Sequence, residues 1–292
     1  MILHTYDIPV NSRNIDNNEP VLIRPVGDIQ WFGFDDEVAI NFLAREMKWG
    51  LDNNCYFLGM GDYIDTLSPS NRSRLQQADL YDSPLRFFDL SVERLVDELY
   101  EKAFKGTEGR WLGLLEGHHW YKFDDGSTSD HRMCRSLGAK FLGTSAIIRL
   151  RFSDGEGHRG TINLWCHHGV GAGKRLSAPL NQLEILPAYW PECQIFLIGH
   201  HHKKIGGPID QTVPVWPHSD SNQEPKLLHR TCLVACTGGF LKGYVEGRER
   251  GNYVEKAMLP PVALGCITVK IIPGWTRKGG STIWNPTIKV EH

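Results

Sequence analysis

Histidine and aspartate side chains recur directly after apolar segments that are typical of strands. In the strongest example, the apolar run 195–198 is followed by Gly199 and three consecutive histidines, His200 to His202. Along extended chain, side chains two residues apart point the same way, so His200 and His202 can converge while His201 faces away. Neutral imidazole is a common metal ligand near pH 7. The segment predicts half of a metal site, with a histidine-rich surface loop as the alternative.

Four further apolar segments end in the same kind of side chain. The residues that follow them are Asp28 and Gln30, then Asp62, then His118 and His119, then His167 and His168. In open α/β folds, functional sites gather at the carboxyl ends of the strands. Aspartate or histidine at five strand ends is hard to explain if these residues only occupy positions in loops. We therefore expect the five turns to meet at one centre.

The elements that must position these turns alternate between strands and helices. Apolar runs predict strands near 21–28, 55–61, 111–117, 195–198, 227–236 and 262–272, and a hairpin of 146–152 with 161–166. Apolar residues at helical spacing predict helices over 37–49, 84–105 and 178–189. Residues 1–20 are polar and predict an irregular lead-in. Because no linker or repeat interrupts the rest, residues 21–292 are expected to form a single domain.

The composition is that of a soluble globular protein. The 292 residues are 41% hydrophobic and 23% charged, with a formal net charge of −2. This balance gives no sign of a polybasic nucleic-acid coat, and no apolar run reaches the ~18 residues of a membrane helix. The seven cysteines are scattered and form no CxxC pair, which favours buried free thiols in a reducing compartment. Since the N-terminus has no signal-peptide pattern, we expect a cytoplasmic protein without a membrane partner.

The order of the motifs resembles that of the calcineurin-like metallophosphoesterase family, whose pattern is DxH, GDxxD, GNH[DE], a single H and then GHxH. This chain reads DIQ at 28–30, GDYID at 61–65, GHHW at 117–120, HHG at 167–169 and GHHH at 199–202. The match covers roughly residues 21–205. The resemblance implies an α/β fold, a two-sheet β-sandwich flanked by helices in αββα order.

The family's ligand roles transfer position by position. By this resemblance Asp62 bridges two divalent metal ions, for which manganese is the first expectation and nickel, zinc, iron or magnesium are alternatives. The remaining ligands implied are Asp28, Gln30 and His202 for the first ion, and His118, His167 and His200 for the second. Either His167 or His168 can face the site by strand alternation, and His167 is chosen because the family's single histidine is often first in such a pair.

The resemblance also implies catalytic roles. His119 matches the histidine that protonates the leaving oxygen, and a metal-bridging hydroxide would attack phosphorus in line. Asp65 would orient a ligand from outside the coordination shell. The expected reaction is hydrolysis of a phosphodiester, with a nucleotide or nucleic acid as the first substrate class. A phosphomonoesterase or a pyrophosphohydrolase of the same fold is the alternative, since fold does not fix substrate.

Three positions depart from the family pattern. Gln30 stands where the family has histidine, His118 where it has asparagine, and Trp120 where it has an acid. Gln30 is a weaker donor, and His119 would lack its neighbouring carboxylate. A degenerate, non-catalytic binding or scaffold protein is therefore the rival hypothesis. A working enzyme is favoured, because the other metal positions keep competent ligands.

Substrate contacts are predicted from charged and aromatic side chains near the motifs. Arg72, Arg74 and Lys174 could hold a second phosphate or a nucleic-acid backbone, and Trp120 could stack on a base. Lys174 ends the glycine-rich segment 169–174, which resembles a phosphate loop only weakly. A mononuclear zinc hydrolase acting on amides or esters fits the number of histidines. It does not fit the two strand ends that carry aspartate.

Overall fold

Two β-sheets with helices on both outer sides make up the fold. The computed structural model describes residues 1–10, 19–35, 37–78, 81–154, 157–171, 173–216, 224–249, 251–278 and 281–292. The predicted fold class, an α/β two-sheet sandwich flanked by helices, is confirmed.

The larger sheet has seven strands. They are β1 (Ile2–Pro9), β5 (Ser145–Ser153), β6 (Arg159–His167), β7 (Ile195–Ile198), β8 (Lys204–Val215), β9 (Lys226–Gly239) and β10 (Gly265–Cys266). Their order is β1-β5-β6-β7-β9-β10, and β8 also pairs with β9. The expected hairpin of 146–152 with 161–166 is the antiparallel pair β5 and β6.

The smaller sheet has five strands in the order β14-β11-β2-β3-β4. They are β2 (Val21–Val26), β3 (Tyr56–Gly59), β4 (Trp111–Leu114), β11 (Thr268–Ile272) and β14 (Thr287–Glu291), while β12 (Trp275–Lys278) and β13 (Ser281–Trp284) form a separate ribbon. The pairs β2/β3, β3/β4, β6/β7 and β7/β9 are parallel. Parallel strands end on the same side of a sheet, so the turns that carry the candidate ligands are brought to one rim.

Helices flank the sheets. The helices are α1 (Ile40–Asp52), α2 (Pro69–Gln77), α3 (Asp82–Leu99) with a π-helical turn at Tyr100–Phe104, α4 (Ser129–Leu137), α5 (Ala178–Leu183), α6 (Leu186–Tyr189) and α7 (Tyr253–Lys256). The helix expected over 178–189 is two short helices. Pro187 has no N–H and its ring clashes with the carbonyl four residues earlier, which ends α5 near Leu183.

The main core lies between the two sheets. Every second residue of β5 is buried there, including Ile148 and Leu150. Leu164 and Leu197 extend this face from β6 and β7 of the same sheet, and Leu58 packs in the same cluster from β3 of the other sheet. A second apolar cluster lies under α1, α3 and α4, and a third lies under α5. The strands that carry the candidate ligands are thus fixed by packing on both faces.

The expected irregular lead-in is wrong for residues 2–9. This segment is β1, which pairs in parallel with β5 and buries Ile8. Alternating β-formers such as Tyr6 and Ile8 suit an edge strand, but the pairing partner lies about 140 residues away along the chain, beyond any local signal. Residues 11–18 lie outside the described residues, and the boundaries of 1–20 and 21–292 are otherwise untested.

Two properties bear on the expected cellular setting. All seven cysteines are buried free thiols. Within the described ranges, no helix combines the length and the apolar character needed to cross a bilayer. A cytoplasmic location stays a prediction.

We expect Leu197→Ala to lower the free energy of unfolding by about 2–5 kcal/mol, because it leaves a cavity between the sheets. Leu197 is fully buried, whereas Leu227 on β9 is 63% exposed and provides the matched control Leu227→Ala. Urea denaturation followed by circular dichroism measures both. Equal losses for the two variants would contradict the position assigned to Leu197.

Candidate metal centre

The turns after the strands adopt backbone conformations that L-residues avoid. Positive φ angles occur at Asp28 (50°), Gln30 (55°), Asp62 (54°), His200 (66°) and His202 (54°). These are five of the seven non-glycine residues with positive φ among the described residues. Such conformations cost of order 1–3 kcal/mol each and cluster at functional sites. All five belong to the ligand set expected from the sequence.

Glycines in the same turns allow the chain segments to approach closely. A Cβ atom on Gly117 would lie 2.1 Å from the backbone nitrogen of Asp62. A Cβ atom on Gly61 would lie 2.7 Å from Nδ1 of His168, and φ at Gly61 is +94°. The glycines of the two motifs are therefore needed so that the turns can meet.

Asp62 lies at the middle of the centre and is buried. Its Oδ1 accepts hydrogen bonds from the backbone N–H groups of His118 and His119, the latter at 3.0 Å. Its Oδ2 lies 3.2 Å from Nε2 of His168 but has no hydrogen-bond partner of acceptable geometry. Burial would raise the pKa of Asp62, but the positive charge of His168 and these hydrogen bonds outweigh burial and hold the pKa well below its usual range.

His168 is oriented by the main chain. Its Nδ1–H donates to the carbonyl of Met60 at 2.7 Å, which leaves Nε2 directed towards Asp62. Burial disfavours the charged imidazole, but the charge of Asp62 reverses this and raises the pKa of His168 to about 9. The main-chain bond fixes the ring as metal-binding histidines are commonly fixed.

Four side chains offer ligand atoms that all lie within 4.8 Å of one another. They are Asp62, His118, His168 and His200. Nε2 of His200 bonds to the carbonyl of Gly171 at 2.7 Å, which leaves Nδ1 with its lone pair. Burial lowers the pKa of His200 to about 4, so its imidazole is neutral at pH 7 and able to bind a cation.

The choice of His167 over His168 as a ligand is corrected by this geometry. His167 is the last residue of β6 and stacks on Trp165, two positions earlier on the same face of the strand. Its Nδ1 accepts a hydrogen bond from the backbone N–H of Gly169 at 2.7 Å. Alternation therefore turns His167 towards the outer face and leaves His168 to enter the centre.

The set expected for the other ion is less compact. Asp28 is fully buried, and its Oδ2 accepts a hydrogen bond from the N–H of His200 at 2.7 Å. Its Oδ1 lies 3.6 Å from Nε2 of His202. The hydroxyl of Tyr253 donates to Oε1 of Gln30 at 3.5 Å. Burial raises the pKa of Asp28 to about 7 and lowers that of His202 to about 4.

The residues present fit divalent metal ions. Among the candidate ligands, three buried polar atoms have no hydrogen-bond partner: Oδ1 of Asp28, Oδ2 of Asp62 and Nε2 of His168. Leaving such atoms unpaired is costly, and a cation that displaces the proton of His168 would satisfy all three atoms. Carboxylate, amide and imidazole donors without thiolate suit manganese, iron, nickel or zinc.

His119 has the carboxylate partner that the sequence did not locate. Its Nδ1 lies 2.7 Å from Oδ1 of Asp65, and its Nε2 lies 3.9 Å from Oδ2 of Asp62. The expectation that Trp120 deprives His119 of a carboxylate is therefore corrected: Asp65, three residues after Asp62, supplies it. Burial disfavours the charged ring, but the bond to Asp65 and the nearby charge of Asp62 raise the pKa of His119.

The residues expected to bind substrate have other contacts. Nη1 of Arg72 donates to the carbonyls of His118 (2.6 Å) and Trp120 (3.0 Å), and its guanidinium lies 3.9 Å from the centre of the Trp120 ring. Arg72 thus holds the loop that carries His118 and His119. Arg74 is exposed in the last turn of α2, and Lys174 donates to the carbonyl of Ala257 at 3.1 Å. Substrate contacts by these four residues stay a prediction.

Two residues at the centre had no motif to mark them. Asp130, fully buried in the first turn of α4, accepts a hydrogen bond from the N–H of Gly117 at 3.2 Å. Burial raises its pKa to about 7. Tyr253 reaches Gln30 from beyond the matched region. Only the fold brings either residue to the site.

Comparisons with known proteins give a distant likeness. No family model matches the chain, and no curated protein matches it. Among solved structures, the chain is similar to Vacuolar Protein Sorting 29 from Cryptosporidium parvum, with 12% identity and a TM-score of 0.34, over 93% of this chain and 99% of that one. At this identity and TM-score the likeness says nothing about function.

We expect His168→Gln to weaken metal binding about 10- to 100-fold or more, since even residues behind the ligands have effects of that size. His167→Gln is the matched control and should bind as the wild type does, because His167 faces away. Metal content after equilibrium dialysis against Mn²⁺ or Zn²⁺ measures both. Loss of metal in the His167 variant alone would restore the original assignment.

Proposed function

We propose that the protein is a metal-dependent phosphoesterase that hydrolyses a phosphodiester, with a nucleotide or nucleic acid as the first substrate class. Two divalent ions, manganese first, would be held by Asp62 together with Asp28, Gln30 and His202 on one side and His118, His168 and His200 on the other. When bound, such ions lower the pKa of water and neutralise charge on the phosphoryl oxygens.

The observation that carries the proposal is the His119–Asp65 pair beside the cluster. Asp65 accepts from Nδ1 of His119, so Nε2 faces Asp62 and can carry a proton to a leaving oxygen. A general acid must hold its proton near the working pH, which the raised pKa of His119 favours. A purely structural metal site has no need of an oriented histidine whose remaining nitrogen faces the ligands.

The chain's other groups position this acid. Arg72 binds the carbonyls of His118 and Trp120, and Asp130 binds the N–H of Gly117. Both ends of the loop that carries His119 are therefore fixed. Preorganised groups cost no rearrangement at the moment of reaction.

Hydrolysis of bis-p-nitrophenyl phosphate by the metal-stripped chain tests the function, with Mn²⁺, Ni²⁺, Zn²⁺ and Mg²⁺ added separately. We expect at least one ion to restore turnover, with the diester preferred to p-nitrophenyl phosphate. Asp62→Asn should abolish turnover, because it removes the bridging charge, while leaving the far-ultraviolet circular dichroism unchanged. No turnover with any ion would overturn the diesterase and favour a non-catalytic binding protein.

Asp65→Asn should shift the alkaline limb of the pH–rate profile to lower pH. The bond to Asp65 raises the pKa of His119, so activity that needs the protonated ring is present at low pH and lost as pH rises through that pKa. Without the carboxylate, the loss of activity begins at lower pH. Rate profiles of the wild type, Asp65→Asn and His119→Ala decide this. An unchanged limb in Asp65→Asn would contradict the proton-donor role of His119.

A further inference from the structure

A cavity of about 310 Å³ opens beside the metal centre. One side is formed by candidate ligands and by His119. The lining also includes Leu241, Tyr253, Val254, Leu259, Pro260 and Val262, which together form an apolar wall. Within one cavity, the phosphoryl group of a substrate would therefore meet the candidate ligands, and its substituent would meet the apolar wall.

The apolar wall is held in place from several directions. The hydroxyl of Tyr244 donates to the carbonyl of Leu259 at 2.7 Å, and Lys174 donates to the carbonyl of Ala257 at 3.1 Å. The side chain of Asn252 caps α7 and also donates to the carbonyl of Lys242 at 2.7 Å. These bonds tie the segment 251–262 to neighbouring loops, so the wall is a built surface.

The cavity offers little to a second phosphate. Among the described residues that line it, Lys203 is the one side chain that carries a permanent charge. Its ammonium donates to the carbonyls of Gly173 and Arg175, where it holds the glycine-rich loop, and burial lowers its pKa. A pyrophosphate or polyphosphate chain would therefore find no cationic side chain in this lining that is not already bonded to main-chain carbonyls.

We propose that this wall binds an apolar, ring-sized group esterified to the scissile phosphate, an inference that rests on the proposed phosphoesterase function. A volume of about 310 Å³ is at the small end of ligand pockets and suits one ring-sized group. The proline ring and the phenol ring of Tyr253 give the wall flat apolar surfaces. The substrate class is thus a phosphoester with a bulky apolar or planar substituent.

Binding of phenylphosphonate and methylphosphonate to the full-length chain with saturating Mn²⁺ tests the inference by calorimetry. Both probes carry one phosphonate, and their C–P bonds resist hydrolysis, so the comparison measures binding without turnover. We expect phenylphosphonate to bind about 10- to 100-fold more tightly, the range that burial of one aromatic side chain gives.

Val262→Asp should remove most of this preference, because a carboxylate in the wall makes burial of the phenyl ring unfavourable. Ala263→Asp places the same charge on the exposed neighbour and should leave the preference intact. Leu259→Asn is the second variant if Val262→Asp does not fold, as judged by thermal denaturation.

Equal affinity of the wild type for the two phosphonates, or no binding of either, would overturn the inference. Failure of the proposed function would give a different result from failure of this inference. A phenyl preference without hydrolysis of any ester would retain the cavity and reject the enzyme. Hydrolysis without a phenyl preference would retain the enzyme and reject the role of the wall.

Discussion

The buried carboxylate of Asp62 is the constraint on which the rest of the site depends. Two backbone N–H groups of the loop after β4 bind one oxygen, and the other faces His168 with no partner. A buried charge is tolerated only when it is paired, so the loops of both sheets must converge on this position. The sandwich supplies that convergence because the carboxyl ends of its parallel strands share one rim.

The strain of the site is balanced by the packing behind it. Five candidate ligands have left-handed backbone conformations, and glycines make room where the turns meet. These features weaken the rim, while the strands below it are buried on both faces between the sheets and the helices. A close-packed interior is hard to compress, so the strands cannot shift to relieve the strain and the turns keep their positions. Precision at the centre therefore depends on residues that do no chemistry, such as Leu58, Leu164 and Leu197.

Local sequence patterns predicted the elements whose stability depends on neighbouring residues. Alternation and apolar runs located the hairpin of β5 and β6 and the strands before each motif. They missed β1, because its stability comes from pairing with β5 across about 140 residues of chain. They also merged α5 and α6, although Pro187 gave a signal against one continuous helix.

The residue types and their spacing alone predicted metal-type chemistry at the strand ends that carry Asp28, Asp62, His118, His200 and His202, and the family resemblance implied the role of each. Only the tertiary structure decided the finer assignments. In the fold, His168 faces the centre and His119 is bonded to Asp65. Arg72 binds main-chain carbonyls, and Tyr253 reaches Gln30. The reason is physical: a motif fixes which atoms are available along the chain. Which of them meet is set by the crossing of segments that are distant in sequence, and by which face of a strand the core leaves open.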